Sequence, residues 1–216
     1  SDASLISLSG LQFFSENSEF LINLNDIALD IPHDTYRKSN EVIAHSYTSL
    51  FGLHVTGLRF FTVYGPWGRP DMAPMIFANS ILNKKSIKIF NYGKMIRDFT
   101  YIDDVVEGIY LCTKKKASPD PLFNKDKPNA STSFASHRIF NIGNSEPIGL
   151  LKFIEVLEKE LGIKAIKDFQ PLPPGDVIAT ESDTAMLNKW VGFKSKTSLE
   201  DGIKKFSQWF LRYKNM

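Results

Sequence analysis

Gly57-Leu58-Arg59-Phe60-Phe61-Thr62-Val63-Tyr64-Gly65-Pro66-Trp67-Gly68-Arg69-Pro70-Asp71-Met72-Ala73 is the stretch on which the reading of this chain turns. Its first half belongs to a run, His54 to Tyr64, rich in β-branched and aromatic residues, which predicts a strand. The run is almost continuously apolar, as in a strand covered on both faces of a parallel sheet. Gly65 to Pro70 then read as a turn-rich loop. In open α/β sheets, ligands bind beyond the carboxyl ends of strands. An arginine on a loop leaving such a strand suits an anion, because the planar guanidinium fork of Arg69 matches carboxylate or phosphate oxygens. From spacing alone, a solvated loop arginine is the plainer reading.

Upstream, Val42, Ile43, Tyr47, Leu50 and Phe51 recur at helical spacing, and Gly52 follows as a stop. Residues 1–36 show only short apolar clusters, and weak or irregular structure is expected there. Downstream, residues 71–83 predict a helix. Ile87 to Phe90 and Asp98 to Tyr101 predict short strands joined through Tyr92-Gly93-Lys94 as a hairpin turn. Asp103 is placed to cap a helix ending near Thr113. Residues 114–137 predict a long surface loop. His137 to Ile142 then predicts a strand, Leu150 to Leu161 an amphipathic helix, Ala165 to Phe169 a short strand and Ser182 to Trp190 a short helix. Thr197 and Glu200 form a capping box for a last helix reaching about Tyr213. The alternation is α/β: the C-terminal part of a doubly wound, Rossmann-like sheet with a small α+β lobe attached.

Lys and Arg together number 26 and Asp and Glu 24, so no strong field invites a nucleic acid or an anionic membrane surface. The one cysteine, Cys112, lies in an apolar run and forms neither an intrachain disulfide nor a thiolate metal cage. It reads as a small buried hydrophobe. No metal site is expected, and a reducing, cytoplasmic setting fits. No apolar run reaches the length of a bilayer span, and Ser4 to Phe14 lacks the basic start of a signal peptide.

Three further segments stand out. Arg97-Asp98-Phe99-Thr100-Tyr101-Ile102-Asp103-Asp104 places an arginine beside a carboxylate, so Arg97 could grip a diphosphate with Asp98 orienting it, or the two could form a surface ion pair. Phe140-Asn141-Ile142-Gly143-Asn144 is a strand running into a turn, and Pro173-Pro174-Gly175-Asp176-Val177 is a rigid loop. In this order and spacing the four segments resemble the NAD-dependent epimerase/dehydratase family of extended short-chain dehydrogenases/reductases. Within it they look closest to the UDP-glucuronate 4-epimerases. The resemblance covers about Tyr36 to Tyr213, and Gly57 to Ala73 is its most specific part.

The resemblance implies roles residue by residue. Thr62 and Arg69 match positions holding the sugar carboxylate, Arg97 the position contacting the nucleotide phosphates, and Asp176 the loop closing over the uridine and ribose. Tyr64, Gly65 and Pro66 match the strand end beside the nicotinamide of NAD. In the family reaction NAD takes hydride from C4 of the sugar, the keto sugar turns over, and hydride returns to the other face.

Two features of that pattern are absent. The chain has 13 glycines, yet no three fall in a G-x-x-G-x-x-G or G-x-G-x-x-G cradle for a dinucleotide. The catalytic Tyr-x-x-x-Lys pair, which lies on one helical face in the family, is also broken. Aligned from Ser39-Asn40-Glu41, its positions hold His33 and Arg37; aligned from Pro32, Tyr36 matches the tyrosine but the spacing to Arg37 is lost. Tyr36 and Arg37 are the catalytic candidates on these alignments. The expectation is a poorly matched segment over 1–36, a truncated epimerase region over 37–216, and an N-terminal dinucleotide half that is missing. UDP-sugar binding is then expected with doubtful NAD binding and little activity alone. The alternative is a non-catalytic remnant or binding module. Family members dimerise through two long helices, one corresponding to residues 37–51, so a homodimer or pairing with an intact homologue is the expected assembly.

Overall fold

In the computed structural model, which describes residues 5–7 and 33–214, with side chains from Lys38 onward, the strand expected over 54–64 breaks at Phe61. β2 (Val55–Phe60) pairs in parallel with β1 (Leu5–Ser7) and β6 (His137–Ile142), whereas β3 (Thr62–Tyr64) pairs in parallel with β5 (Ile96–Tyr101). At the break the Val63 N–H turns back to the Phe61 carbonyl at 2.9 Å, a three-residue turn that redirects the chain. One apolar run therefore serves two sheets. The chain divides at the same point into two compact units: Ser1–Phe60, Glu107–Ile142 and Ala185–Phe193 form unit 1, and Phe61–Val106, Gly143–Thr184 and Lys194–Met216 form unit 2.

Unit 1 is a parallel sheet, β1-β2-β6, in which Val55 stands opposite His137 and Phe60 opposite Ile142. β1 corrects the expectation of irregular structure over 5–7; the remainder of 1–32 lies outside the described residues. α1 (His33–Phe51) starts earlier than expected and is followed by Gly52 at φ 67, a left-handed residue that suits glycine. Ala44 on α1 packs with Val55 and Leu53. A forked ion pair adds to this contact: Arg59 donates to both carboxylate oxygens of Glu41, at 2.6 and 2.7 Å. The 114–136 segment is irregular as expected but is pinned. His54 bonds the Ala117 carbonyl at 2.7 Å, and Arg138 donates to the Ser118 and Pro119 carbonyls. α5 (Ala185–Val191) completes the unit, its Trp190 stacking on Phe140.

In unit 2, β5 lies between β3 and β7 (Pro147–Gly149), the latter antiparallel and too short to announce itself in the sequence. The expected hairpin does not form. β4 (Ser86–Ile89) pairs in parallel with β8 (Ile166–Phe169) instead of with β5. Between β4 and β5, Phe90–Gly93 is a short 3₁₀ segment with Asn91 and Tyr92 at φ 50 and 51. The Tyr92 N–H bonds the Gln170 carbonyl at 3.0 Å, so the chain leaving β4 stays docked beside the exit of β8. Helices α2 (Ala73–Leu82), α4 (Leu150–Leu161) and α6 (Leu199–Lys214) supply a core that includes Phe77, Ile81, Ile154, Leu157, Ile203 and Phe206. Phe99 stacks on Phe153 with ring centres 4.2 Å apart.

Two capping expectations shift. α3 (Ile102–Thr113) starts at Ile102, so Asp103 lies inside its first turn, where a negative charge favours the helix dipole, and is not its cap. α6 is capped one residue later than expected: the Asp201 N–H donates to Ser198 Oγ at 3.1 Å, and that hydroxyl donates back to Asp201. Glu158 on α4 is buried and takes Lys164, Lys167 and the Ala165 N–H. Burial opposes its ionisation, but these donors outweigh it and hold the carboxyl down to about 2.

His137 is 5% exposed, its Nε2 has no partner, and the His45 ring lies 5.3 Å away. Burial first, then His45, lower its pKa from 6.5 to about 4. The unfolded chain thus binds a proton below about 6.5 that the folded chain refuses, so stability falls as pH drops from 6.5 towards 4. Glu158 contributes its own loss only below about 4.5. The melting temperature is expected to decline between pH 7 and 4.5, and more shallowly in His137→Leu. Calorimetry showing equal slopes in the two proteins would contradict this account.

Candidate functional site

The strand-end loop of unit 2 starts from a buried anchor. The Tyr64 ring is 3% exposed and meets Phe99, Tyr101 and Phe153 edge-on. Its hydroxyl lies where a Cβ on Gly202 of α6 would sit, 2.0 Å away. Burial first, then neighbouring Tyr101 and acidic side chains, raises the phenol far above its ordinary pKa of 10. Tyr64 is therefore placed as a packing residue, its ring turned into the core. Gly65 has φ 146, and a Cβ there would come within 2.4 Å of Ile102, so only glycine fits. Half-buried Pro66 follows. Trp67 adopts φ 61, a left-handed conformation costing about 1–2 kcal/mol without glycine. Its indole meets Trp209 and Tyr213 of α6, aromatic pairs worth about 0.5–1.5 kcal/mol each.

Arg69 directs its fork at Asp71, donating from Nε at 3.1 Å and also from Nη2. That hydrogen bond lowers the Asp71 pKa. Both side chains are exposed, so the pair adds little stability. Its geometry is the two-pronged one an incoming carboxylate would use. Thr62 stands half-buried on β3 opposite Phe99.

The other expected arginine meets an expected aspartate. Arg97 on β5 donates from Nη2 to Asp176 at 3.0 Å and from Nη1 to the Ile96 and Ile178 carbonyls at 2.9 and 3.2 Å. Its side chain is 17% exposed. Asp176 also accepts the Val177 N–H at 2.8 Å. The 177–180 segment runs along β5 through Ile96 N–H to the Ile178 carbonyl and Thr180 N–H to the Ile96 carbonyl, at 2.9 and 3.1 Å. Arg97 and Asp176, singled out far apart in sequence, thus share one site.

Asp98 does not orient Arg97. Successive strand residues face opposite ways, and Asp98 points inward. Fully buried, it accepts the N–H groups of Asn144, Ser145 and Ser182 at 2.9, 3.0 and 2.9 Å, together with the Ser182 hydroxyl. Gly143 permits this approach, since a Cβ there would lie 2.3 Å from Ser182 Oγ. Asp104 acts alike on the Ser195 hydroxyl and the Lys196 and Thr197 N–H groups. These acceptor roles were hidden in sequence, because the donors are backbone groups far along the chain. The positions of Tyr36 and Arg37 fall in the first turns of α1, and their side chains lie outside the described residues.

A pyrophosphate cradle needs glycines that leave room at a helix N-terminus. Gly65 and Gly68 precede α2, but the space at Gly65 is filled by Ile102 and Tyr101, and Gly68 closes on the Gly65 carbonyl. The described residues do not fit NAD there. Among them no group of three His, Cys, Asp or Glu side chains could hold a metal. Burial raises the Cys112 thiol to about 11, which leaves it unreactive. No helix among the described residues is long and apolar enough to cross a membrane.

Parallel strands with helical crossovers define a Rossmann-like α/β protein. Residues 32–143 match the model of the NAD dependent epimerase/dehydratase family, and the chain belongs to that family. It is 42% identical over 212 residues to Protein CapI of Staphylococcus aureus, covering 97% of this chain and 63% of CapI. It is 42% identical over 181 residues to UDP-glucuronate 4-epimerase 4 of Arabidopsis thaliana, covering 82% of this chain and 40% of that protein. The fold matches the crystal structure of UDP-glucuronic acid 4-epimerase from Bacillus cereus in complex with UDP-glucuronic acid and NAD. The TM-score is 0.73 at 28% identity, covering 96% of this chain and 61% of that one. The chain thus spans between two fifths and about three fifths of these relatives.

Removing the Asp98 carboxylate would leave several buried donors unmatched, each costing about 1–3 kcal/mol. Asp98→Ala is therefore expected to destabilise unit 2 by about 3 kcal/mol or more, measured by urea unfolding. A loss below about 1 kcal/mol would show that the carboxylate does not hold the 143–145 and 182 segments.

Proposed function

We propose that unit 2 binds a UDP-hexuronate and that the chain serves 4-epimerisation between UDP-glucuronate and UDP-galacturonate, a supply step for cell-surface polysaccharide. The observation that carries this reading is the Arg97–Asp176 site, where a nearly buried guanidinium holds a loop to the sheet. Arg97 has five N–H donors, and its three bonds to Ile96, Ile178 and Asp176 leave Nε and a second Nη2 hydrogen for diphosphate oxygens. Asp176, released in part, accepts a ribose hydroxyl. Arg69 exchanges Asp71 for the sugar carboxylate, with Thr62 donating beside it. Support comes from the Bacillus cereus protein, whose crystal structure holds UDP-glucuronic acid. Tyr36 and Arg37 are the proposed remnants of the acid/base pair, and Pro66 lies on the nicotinamide side by resemblance. No hydride step is assigned to this chain, since the glycine turn before α2 leaves no room for a pyrophosphate. A reducing, cytoplasmic setting suits a protein whose one cysteine is buried.

A second reading is a sugar-nucleotide-binding module that pairs with a homologue or with itself. It is favoured by Val42, Leu50 and Phe51 on α1, which are 66%, 74% and 65% exposed in unit 1. Apolar surface of that extent invites cover.

Titration calorimetry is expected to show UDP binding without NAD, weakened by roughly tenfold or more in Arg97→Ala. The 216-residue chain is expected to give no turnover of UDP-glucuronate. Turnover, or NAD binding in the same titration, would defeat the binding-only account. UDP affinity unchanged in Arg97→Ala would defeat the site itself.

A further inference from the structure

The segment carrying Arg69 is gripped by α6 on both sides of Gly65. Before it, the Tyr64 hydroxyl closes on Gly202. After it, the Trp67 indole contacts Trp209 at 5.4 Å and Tyr213 at 5.8 Å. Trp209 and Tyr213 are one helical turn apart and already stacked on each other, ring centres 5.1 Å apart at 15°. They form a ready platform on α6.

Trp67 needs such a platform. A non-glycine residue at φ 61 persists only where its surroundings hold it. Burial does not do so, because the residue is 77% exposed. The hydrogen bonds of the loop are local: Gly68 N–H to the Gly65 carbonyl, Met72 N–H to the Arg69 carbonyl, and the fork of Arg69 on Asp71. None of these bonds ties the loop to another element. Pro70, on the other side of Arg69, borders a cavity of about 260 Å³ that it shares with Met75, Ile76, Phe210 and Tyr213. Gly65 packs on Ile102 and Tyr101 and Gly68 on Met75, and the aromatic contact holds the stretch between them that leads to Arg69.

We propose that Trp67, clamped on Trp209 and Tyr213, is a positioning residue that aims Arg69 at the sugar carboxylate and so sets the preference for an acidic sugar. This rests on the reading of Arg69 as the carboxylate holder. The platform residues lie some 140 positions along the chain from that arginine, so the last helix takes part in substrate choice without touching substrate.

The test compares the affinities of UDP, UDP-glucose and UDP-glucuronate by titration calorimetry, with melting temperatures to confirm folding. The unaltered chain is expected to prefer UDP-glucuronate over UDP-glucose. Trp67→Ala and, independently, Tyr213→Ala are expected to cut that preference roughly tenfold while UDP affinity stays within about twofold. Trp67→Phe, which keeps an aromatic ring, is expected to retain it. In an Arg69→Ala background, Trp67→Ala is expected to change nothing further, since both act through one guanidinium. Parallel weakening of UDP-glucose and UDP-glucuronate would mean that the indole stacks on the sugar itself and would overturn the proposal. Preference surviving in both Trp67→Ala and Tyr213→Ala, yet abolished by Arg69→Ala, would overturn the clamp and leave Arg69 in its role. No preference in the unaltered chain would remove the reading of Arg69, and the clamp with it.

Discussion

The buried carboxylate of Asp98 is the constraint around which unit 2 is organised. A charge taken out of water is tolerable only where donors replace the lost hydration. Here three backbone N–H groups and a hydroxyl do so, and they come from residues 144, 145 and 182. Segments far apart in the chain are thereby brought against β5. Because neighbouring strand residues alternate, the same constraint turns Arg97 to the opposite face, where it meets residues 176–178.

The device recurs within the unit. Asp104 gathers residues 195–197 just before α6, and Glu158 gathers residues 164–167 around the start of β8. Each segment is irregular or short and buries too little apolar surface to hold itself in place. Charge-assisted bonds to a buried acceptor are shorter and stronger than neutral ones and supply the missing order. Helices α2, α4 and α6, by contrast, dock mainly through apolar packing. Unit 2 thus pairs a hydrophobic core under its helices with carboxylate staples at its turns.

That division decides what could be read from the sequence. β6 and α4, strongly patterned and closed by clear turns, were legible to the residue. The break at Phe61 was not, since an apolar run carries no mark of which sheet each half will join. The turn chemistry of Tyr92-Gly93 predicts a hairpin after β4, but the partner of β4 lies far downstream in β8. Asp98 was legible as a charged neighbour of Arg97 and not as an inward acceptor, because its donors are backbone groups without a signature of their own. Arg69 and Arg97 are legible as anion-suited arginines from their loop and strand settings, whereas the role of Asp176 rests on the resemblance alone. That Arg97 and Asp176 meet, and that Arg69 is held by Asp71, is visible only in three dimensions.

The two arginines are preset differently, and the difference bears on ligand choice. Arg97 keeps two carbonyl bonds whatever becomes of Asp176, so an anion can join it without freeing the loop. Its side chain, 17% exposed, loses little freedom when a phosphate arrives. Arg69 has a single partner, and both members of that pair face water. A ligand carboxylate there replaces an equivalent carboxylate, so the gain from the new bonds is nearly cancelled by the loss of the old ones. Net discrimination at Arg69 must then come from how firmly the guanidinium is aimed before the ligand arrives. On the proposed reading, anchoring through Arg97 and discrimination through Arg69 are therefore separable, and the loop that holds Arg69, more than its charge, would select the sugar.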